Sequence, residues 1–330
     1  MTGGTKMRIK TWCLICIFVL FFVASGCSNS QEQKALTDPL ADLSITQKYE
    51  MLEDAENWYY FDDGDDGIYR INKKEDVKEL VYSDKIIKTY DNANRIWLYN
   101  DYIYYVNADW GICRVKTSGQ DHSVLLNAKQ FWKYDEQPVS SLTVIDNKLF
   151  IQMTFPLYCF DMETKTTTQI AYDARQIGIS GKDLYFCGRD CTINRMNVHD
   201  HEPQAVLQSQ TDGANKEEWT DLYKNFIFVD GVMYYYKRNP DGLYRYQNNE
   251  SRLVSKDTDI HEFSLFEHDG KLYFIVQGDE QGKLMQYDPG NEKTTEILTC
   301  NNFNSKPKII DGYFYYLDLE GNVEQLKMEA

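Results

Sequence analysis

The chain has 330 residues, 42% hydrophobic and 14% aromatic, with a formal net charge of −16 at pH 7. That is long enough for one large domain or two smaller ones. The acidic balance argues against nucleic acid as a partner, because neutralising phosphates takes Lys and Arg in surplus. Tyrosine is the outlier at 25 residues, and tyrosine favours strands, where a flat ring packs on a pleated surface.

The first 26 residues read as a targeting segment. Lys6, Arg8 and Lys10 form a basic start, and residues 12–23 form an apolar run too short for a comfortable membrane span. The run ends in Ala24-Ser25-Gly26-Cys27. This resembles the lipobox of bacterial lipoproteins, in which small residues precede a cysteine; Ala24 replaces the commoner leucine. The resemblance implies that Cys27 is acylated and becomes the mature N-terminus, on the extracytoplasmic face of the cell membrane. The other readings are an ordinary signal peptide or an uncleaved anchor helix. Acyl chains hold by burying CH₂ groups, and more than one makes anchoring stable. Removal of residues 1–26 would take away three positive charges and no acids, moving the net charge from −16 to −19. Residues 27–42 are polar and read as a tether, and residues 43–330 as the folded domain.

Five cysteines follow Cys27: Cys113, Cys159, Cys187, Cys191 and Cys300. An odd number in an oxidising compartment leaves at least one thiol. Cys187 and Cys191 flank Gly188-Arg189-Asp190, a plausible hairpin turn, and could form a disulfide across two strands. The alternative is two small residues buried beside a turn. The spacing does not suit zinc, and neither a metal nor another cofactor is expected.

The domain is repetitive. Aligned on one aromatic strand, Tyr59, Tyr104, Phe150, Tyr185, Tyr234, Tyr273 and Tyr315 are equivalent, with gaps of 45, 46, 35, 49, 39 and 42 residues. Periods of this size match a four-stranded propeller blade. Turn pairs precede the aromatic strand: Asn100-Asp101, Asp146-Asn147, Ser180-Gly181, Asp230-Gly231, Asp269-Gly270 and Asp311-Gly312. Such pairs supply the positive φ of a two-residue hairpin. Apolar runs before these turns (residues 96–99, 142–145, 226–229, 265–266 and 309–310) are candidate innermost strands. A third strand recurs at 68–71, 112–115, 157–160, 193–196, 243–246, 284–287 and 323–326. A shorter fourth strand follows in six units and is missing from the seventh. The expected fold is therefore all-β: a single propeller of four-stranded blades, seven favoured and six or eight as alternatives. An N-terminal strand at 43–47 (L-S-I-T-Q) is expected to close the ring and cover its open edge.

The pattern D-x-I-Y-Y-x-N … G-I-x-R-V-x-x-x-G at 101–119 resembles the tyrosine-rich propeller repeat of lipoproteins and surface proteins of Gram-positive bacteria, a largely uncharacterised family. It is similar, more distantly, to YWTD repeats and TolB-like propellers. The resemblance spans roughly residues 45–330 and implies a fold without a specific activity. Units three and six depart from it, with Cys159 and Gln286 where Arg114 stands in unit two.

Because strands in a blade alternate in direction, loops between second and third strands share a face with the links between blades. That face is expected to hold Asp109 and Trp110, Arg238, and the two long links 127–139 and 209–223, which carry Trp132 and Trp219. Exposed aromatics among acids suit stacking on sugars or docking a cationic peptide; the alternative is that they fold inward and cap the blades. The acidic run 62–66 lacks the EF-hand ligand pattern and reads as a solvated hairpin. The His199-Asp200-His201-Glu202 run reads as a polar turn, and His122 as a loop histidine with nothing near it in sequence to activate. Hydrolase, zincin, P-loop and dinucleotide motifs are absent. The favoured function is a lipid-anchored, non-catalytic binding or scaffold module for a protein, peptide or glycan. The alternatives are a glycan-active hydrolase or lyase with carboxylates at the channel mouth, or a structural part of an envelope complex.

Overall fold

In the computed structural model, residues 40–87, 96–131, 139–188, 190–200, 202–208, 222–238, 241–256, 260, 264–278, 281–301 and 307–328 are described. Residues 42–330 form one compact unit, separate from 1–41. This unit is a seven-bladed β-propeller.

Each blade is an antiparallel meander. Blade one holds β1 (Leu52–Glu53), β2 (Asn57–Asp62), β3 (Gly67–Asn72) and β4 (Lys78–Ser83). Blade two holds β5 (Ile96–Tyr99), β6 (Tyr102–Val106), β7 (Gly111–Lys116) and β8 (Ser123–Asn127). Blade three holds β9 (Val139–Ile145), β10 (Lys148–Met153), β11 (Leu157–Asp161) and β12 (Thr167–Ala171); blade four holds β13 (Ala174–Ser180), β14 (Asp183–Gly188), β15 (Ile193–Asn197) and β16 (Gln204–Leu207). Blade five holds β17 (Leu222–Val229), β18 (Val232–Arg238), β19 (Gly242–Gln247) and β20 (Glu250–Ser255); blade six holds β21 (Phe266–His268), β22 (Lys271–Gln277), β23 (Gln281–Asp288) and β24 (Lys293–Asn301). Blade seven has three strands, β25 (Lys308–Ile310), β26 (Tyr313–Leu317) and β27 (Val323–Lys327). Innermost strands of neighbouring blades lie against one another, as in β1 on β5, β5 on β9, β13 on β17 and β17 on β21.

The aromatic repeat falls on the second strand of every blade, as the spacing predicts. Tyr59, Tyr104, Phe150, Tyr234, Tyr273 and Tyr315 are buried there, and Tyr185 is half-buried. Their rings fill the space between blades, where one blade's second strand packs with its neighbour's; Tyr104 shares a cluster with Leu142, Leu149 and Ile151 of blade three. The hairpin turns have the chemistry expected of them. Asp230-Gly231, Asp269-Gly270 and Asp311-Gly312 all take positive φ at both positions, between 48° and 76°, the signature of a type I′ turn.

The repeated arginine of the third strand ties one blade to the next at Arg70, Arg114 and Arg245, while Arg195 of blade four donates to Asp183 of its own blade at 2.6 Å. Arg70 donates to the Thr117 carbonyl of blade two at 3.1 Å, Arg114 reaches the Met162 sulfur of blade three at 3.7 Å, and Arg245 donates to Glu292 of blade six at 3.1 Å. Each arginine lies opposite the aromatic of its own hairpin, as in Tyr59–Arg70, Tyr104–Arg114 and Tyr234–Arg245. In blades three and six the partners are Cys159 and Gln286, and Gln286 donates to the Tyr273 hydroxyl instead.

The ring closes differently from the sequence expectation. Residues 43–47 form no strand. They open a short helix, α1 (Ile45–Glu50), which packs on both β2 of blade one and β27 of blade seven. The reason is local. Ser44 and Gln47 form a reciprocal capping box: the Ser44 hydroxyl accepts from the Gln47 amide at 3.1 Å, and the Gln47 side chain accepts from the Ser44 amide at 2.9 Å. Two orphan donors are satisfied by making a helix, and a strand at this place would leave both side chains without that exchange. The joint is completed by Lys308 of β25. Its ammonium lies 3.5 Å from the Met51 carbonyl at the helix C-terminus and 5.2 Å from the centre of the Tyr49 ring.

Of the two readings of Cys187 and Cys191, the structure has the pair as thiols beside a turn. No disulfide joins the two sulfurs. The register pairs Cys187 with Ile193, while Cys191 sits in the turn with φ 58°. Burial, and after it the neighbouring Cys191, raises the Cys187 thiol pKa to about 12.

Candidate functional site

The loop-rich face is built as the strand directions require. The link leaving blade one runs beside the β6–β7 loop of blade two: Ala108 donates to the Lys85 carbonyl at 2.7 Å, and Ile86 bridges to Asn107. The link leaving blade three does the same for its own β10–β11 loop, where Ala174 donates to Phe155 at 2.6 Å. Interblade links and second-to-third loops thus share one surface.

The β6–β7 loop is pre-ordered by Asn107. Its side-chain carbonyl accepts from the Asp109 amide at 3.2 Å and the Gly111 amide at 2.8 Å. This is an Asx-turn, in which a side chain imitates a backbone turn. Asp109 is held out in solvent and Trp110 is half-buried, with φ 65°. Trp110 also packs against the core cluster between blades two and three, so part of its ring serves as a cap and part faces outward. The β26–β27 loop of blade seven repeats the device with a carboxylate. Asp318 accepts from the Glu320 amide at 2.9 Å and the Asn322 amide at 2.8 Å, and these bonds, with the Asn322 side chain leading, hold its pKa below the usual carboxylate range. Leu319 is thereby left 63% exposed.

Two further aromatics stand on this face. Phe155, in the β10–β11 loop, is 47% exposed, and Tyr172, in the link from β12 to β13, is 84% exposed. They are tied to neighbouring backbone through the Ala174–Phe155 bond. The sequence expectation passed over both, because nothing in the local pattern distinguishes an exposed aromatic from the many buried ones. Of the residues it did single out, Asp109 and Trp110 are on this face. Arg238 ends β18, where its backbone pairs with Leu222. Trp132, Trp219 and Cys27 lie outside the described residues.

No protein-family model matches this sequence, and no curated protein does. Solved structures match at low identity. A chain of a structure titled "Crystal Structure of Mitotic Checkpoint Complex" aligns with TM-score 0.51 at 9% identity, over 83% of this chain and 87% of that one. BamB from Moraxella catarrhalis aligns with TM-score 0.40 at 12% identity, over 84% and 71%. The computationally designed Ika8 protein aligns with TM-score 0.47 at 7% identity, over 84% and 95%. At these identities the likeness bears on the fold.

The acidic run 62–66 is the β2–β3 turn. Asp62 accepts from the Gly64 amide at 2.9 Å and lies 3.8 Å from the Lys78 ammonium, and Asp65 accepts from the Tyr69 hydroxyl. Its groups are engaged with their own hairpin. His199 lies 3.3 Å from Asp146 in the preceding blade, and its neighbour His201 is outside the described residues. His122 is a loop residue, as its sequence suggests. It stands beside Asp84 and Cys113, residues of the blade one–two seam that are distant from it in sequence.

Proposed function

We propose that this propeller is a lipid-anchored, extracytoplasmic binding module, tethered through Cys27, whose loop-rich face takes a polypeptide partner bearing basic residues. One observation carries the reading. Among the described residues, both aromatic side chains in the exposed large apolar group, Phe155 and Tyr172, fall on this one face, with Leu319. The same face carries Asp109 and Glu320, on loops whose backbone is already ordered by Asx-turns. Pre-ordered loops lose little entropy on binding, and a loop surface that carries exposed aromatics together with acids has the composition of a protein-binding surface. The net charge of −16 adds long-range attraction for a cationic partner.

The test is capture from cells by in situ crosslinking with the Phe155→Ala/Tyr172→Ala chain. Val124→Ala, an exposed change on the outer strand β8, is the control. The double variant should lose specific partners that the control retains, and capture by the parent chain should weaken with salt. Equal capture by all three chains would overturn the assignment of the face. The anchor is tested separately. Cys27→Ser should move the protein out of the membrane fraction, and retention there would sink the lipid-anchor reading.

A further inference from the structure

We infer that Asp84, Cys113 and His122 form a binding site for one zinc-class divalent metal ion at the seam between blades one and two. The three come from separate parts of the chain. Asp84 follows β4 in the link leaving blade one, Cys113 is the third residue of β7, and His122 directly precedes β8. Yet one ligand atom from each, a carboxylate oxygen, the thiol sulfur and an imidazole nitrogen, lie within 4.8 Å of one another. Three donors around a tetrahedral ion at ordinary Zn–S, Zn–N and Zn–O lengths stand somewhat closer than that, so small side-chain rotations complete the geometry. Sulfur, imidazole and carboxylate together form a donor set that favours Zn²⁺ over Ca²⁺ or Mg²⁺, which want all-oxygen cages.

The surroundings orient the ligands as an outer shell does. The Tyr105 hydroxyl donates to Asp84 Oδ2 at 2.9 Å, which fixes the carboxylate and leaves its other oxygen for a metal. The His122 ring is stacked on Tyr82, with centroids 4.5 Å apart and planes 16° apart, and lies near-parallel to Tyr105 at 6.4 Å. An exposed imidazole on a turn thus has its ring plane set by two aromatics. Cys113 is fully buried, in a cluster with Val81, Ile96, Ile103 and Tyr105. Burial and the Asp84 charge push its thiol up to about 12. A divalent cation reverses that balance: it displaces the thiol proton to solvent, forms the metal–sulfur bond, and neutralises thiolate and carboxylate together. Among the described residues this is the group of His, Cys, Asp and Glu side chains arranged to hold a metal. Cys300, by contrast, owes its raised thiol pKa to burial alone.

The three ligands leave a fourth position, and the exposure of His122 opens it to solvent. Because Asp84 belongs to one blade and the other two to the next, the ion would also clamp the seam where Arg70 reaches Thr117.

The experiment uses the untagged full chain in detergent, reduced and stripped of metal, titrated with Co²⁺ as a spectroscopic stand-in for Zn²⁺. One equivalent should produce a thiolate-to-cobalt charge-transfer band and tetrahedral d–d bands, both bleached by Zn²⁺. Cys113→Ser should abolish the charge-transfer band. Its side chain is buried, so that variant could lose its fold for packing reasons. His122→Ala and Asp84→Asn, checked for native circular dichroism, therefore carry the decision: each should weaken binding by at least about tenfold. No charge-transfer band up to millimolar cobalt overturns the site. So does a band whose affinity is unchanged in both His122→Ala and Asp84→Asn, because the metal would then sit on another thiol.

Discussion

Replacing Lys308 with methionine keeps the length of the side chain and removes its charge. Lys308 is held where the ring closes, its ammonium against the Met51 carbonyl and the Tyr49 ring. Tyr49 and Met51 are both buried. Burial lowers the Lys308 pKa from 10.5 to about 8, and the Glu50 carboxylate offsets only part of that. In the unfolded chain the group titrates near its ordinary 10.5. Between pH 8 and 10.5 the unfolded state therefore binds the extra proton, and stability rises with pH across that window. The charged form costs the fold about 3 kcal/mol at pH 7, about 2 at pH 9 and close to nothing at pH 10.5. The bond to Met51 and the placement of a cation at a helix C-terminus return about 1 kcal/mol. Lys308→Met should thus be more stable than the parent at pH 7 by about 2 kcal/mol. That advantage should shrink towards zero by pH 10.5, where the folded-state amine is neutral and neither the charge cost nor the cation's return remains. The assay is urea unfolding followed by tryptophan fluorescence, parent against variant, at matched pH values from 7 to 10.5. Buried thiols with raised pKa values, near 11 for Cys159 and Cys300 and near 12 for Cys113 and Cys187, remove stability above pH 9. They do so equally in both chains, so they cancel in the difference. A stability difference that stays constant over the whole window would refute the reasoning, as would a parent chain more stable than the variant at pH 7.

Two glycines separate close packing from backbone strain. Gly119 has φ 81°, and a Cβ there would stand 2.5 Å from the Val81 carbonyl of the neighbouring blade, whereas Gly312 has φ 74° and open space around it. Gly312→Ala should cost about 1–2 kcal/mol from the left-handed backbone alone, and Gly119→Ala clearly more, read as a larger fall in melting temperature. Equal falls would mean that the seam moves to accept the methyl group. Ser44→Ala removes half of the capping box and should cost about 1 kcal/mol, with faster hydrogen exchange confined to α1 and the β27 edge it covers. Exchange unchanged at β27 would show that the helix does not hold the ring closed.

The blade repeat was legible because its signals are local. An aromatic strand, an Asp-Gly turn and a third strand with its arginine sit within about twenty residues, and each is set by chemistry that neighbours in sequence decide. The closing element was legible too, but misread: L-S-I-T-Q alternates like a strand, while Ser44 and Gln47 are spaced for a capping box, and the box prevailed. The missing fourth strand of blade seven was anticipated, and its place beside β27 is taken by α1. What sequence could not convey was which aromatics are left in solvent. Phe155 and Tyr172 look no different from Tyr102 or Phe160 until the interblade links are placed. The Asp84–Cys113–His122 cluster is further out of reach, since it exists only where two blades meet.

This division bears on where function can sit. The residues that recur from blade to blade are spent on holding the ring. The second-strand aromatics pack between blades, and the third-strand arginines Arg70 and Arg245 reach across seams. A change at any of them acts first on stability. Sites for ligands must then be sought among residues that the repeat does not share. Phe155, Tyr172 and Leu319 are such residues, each a departure from its equivalents in the other blades, and so are Asp84, Cys113 and His122. The two sets also lie on different blades, Phe155 and Tyr172 on blade three and its outgoing link, and Asp84, Cys113 and His122 at the seam of blades one and two. Loss of partner capture on changing Phe155 and Tyr172 should therefore leave metal affinity untouched, and loss of metal on changing His122 should leave the loop face able to bind.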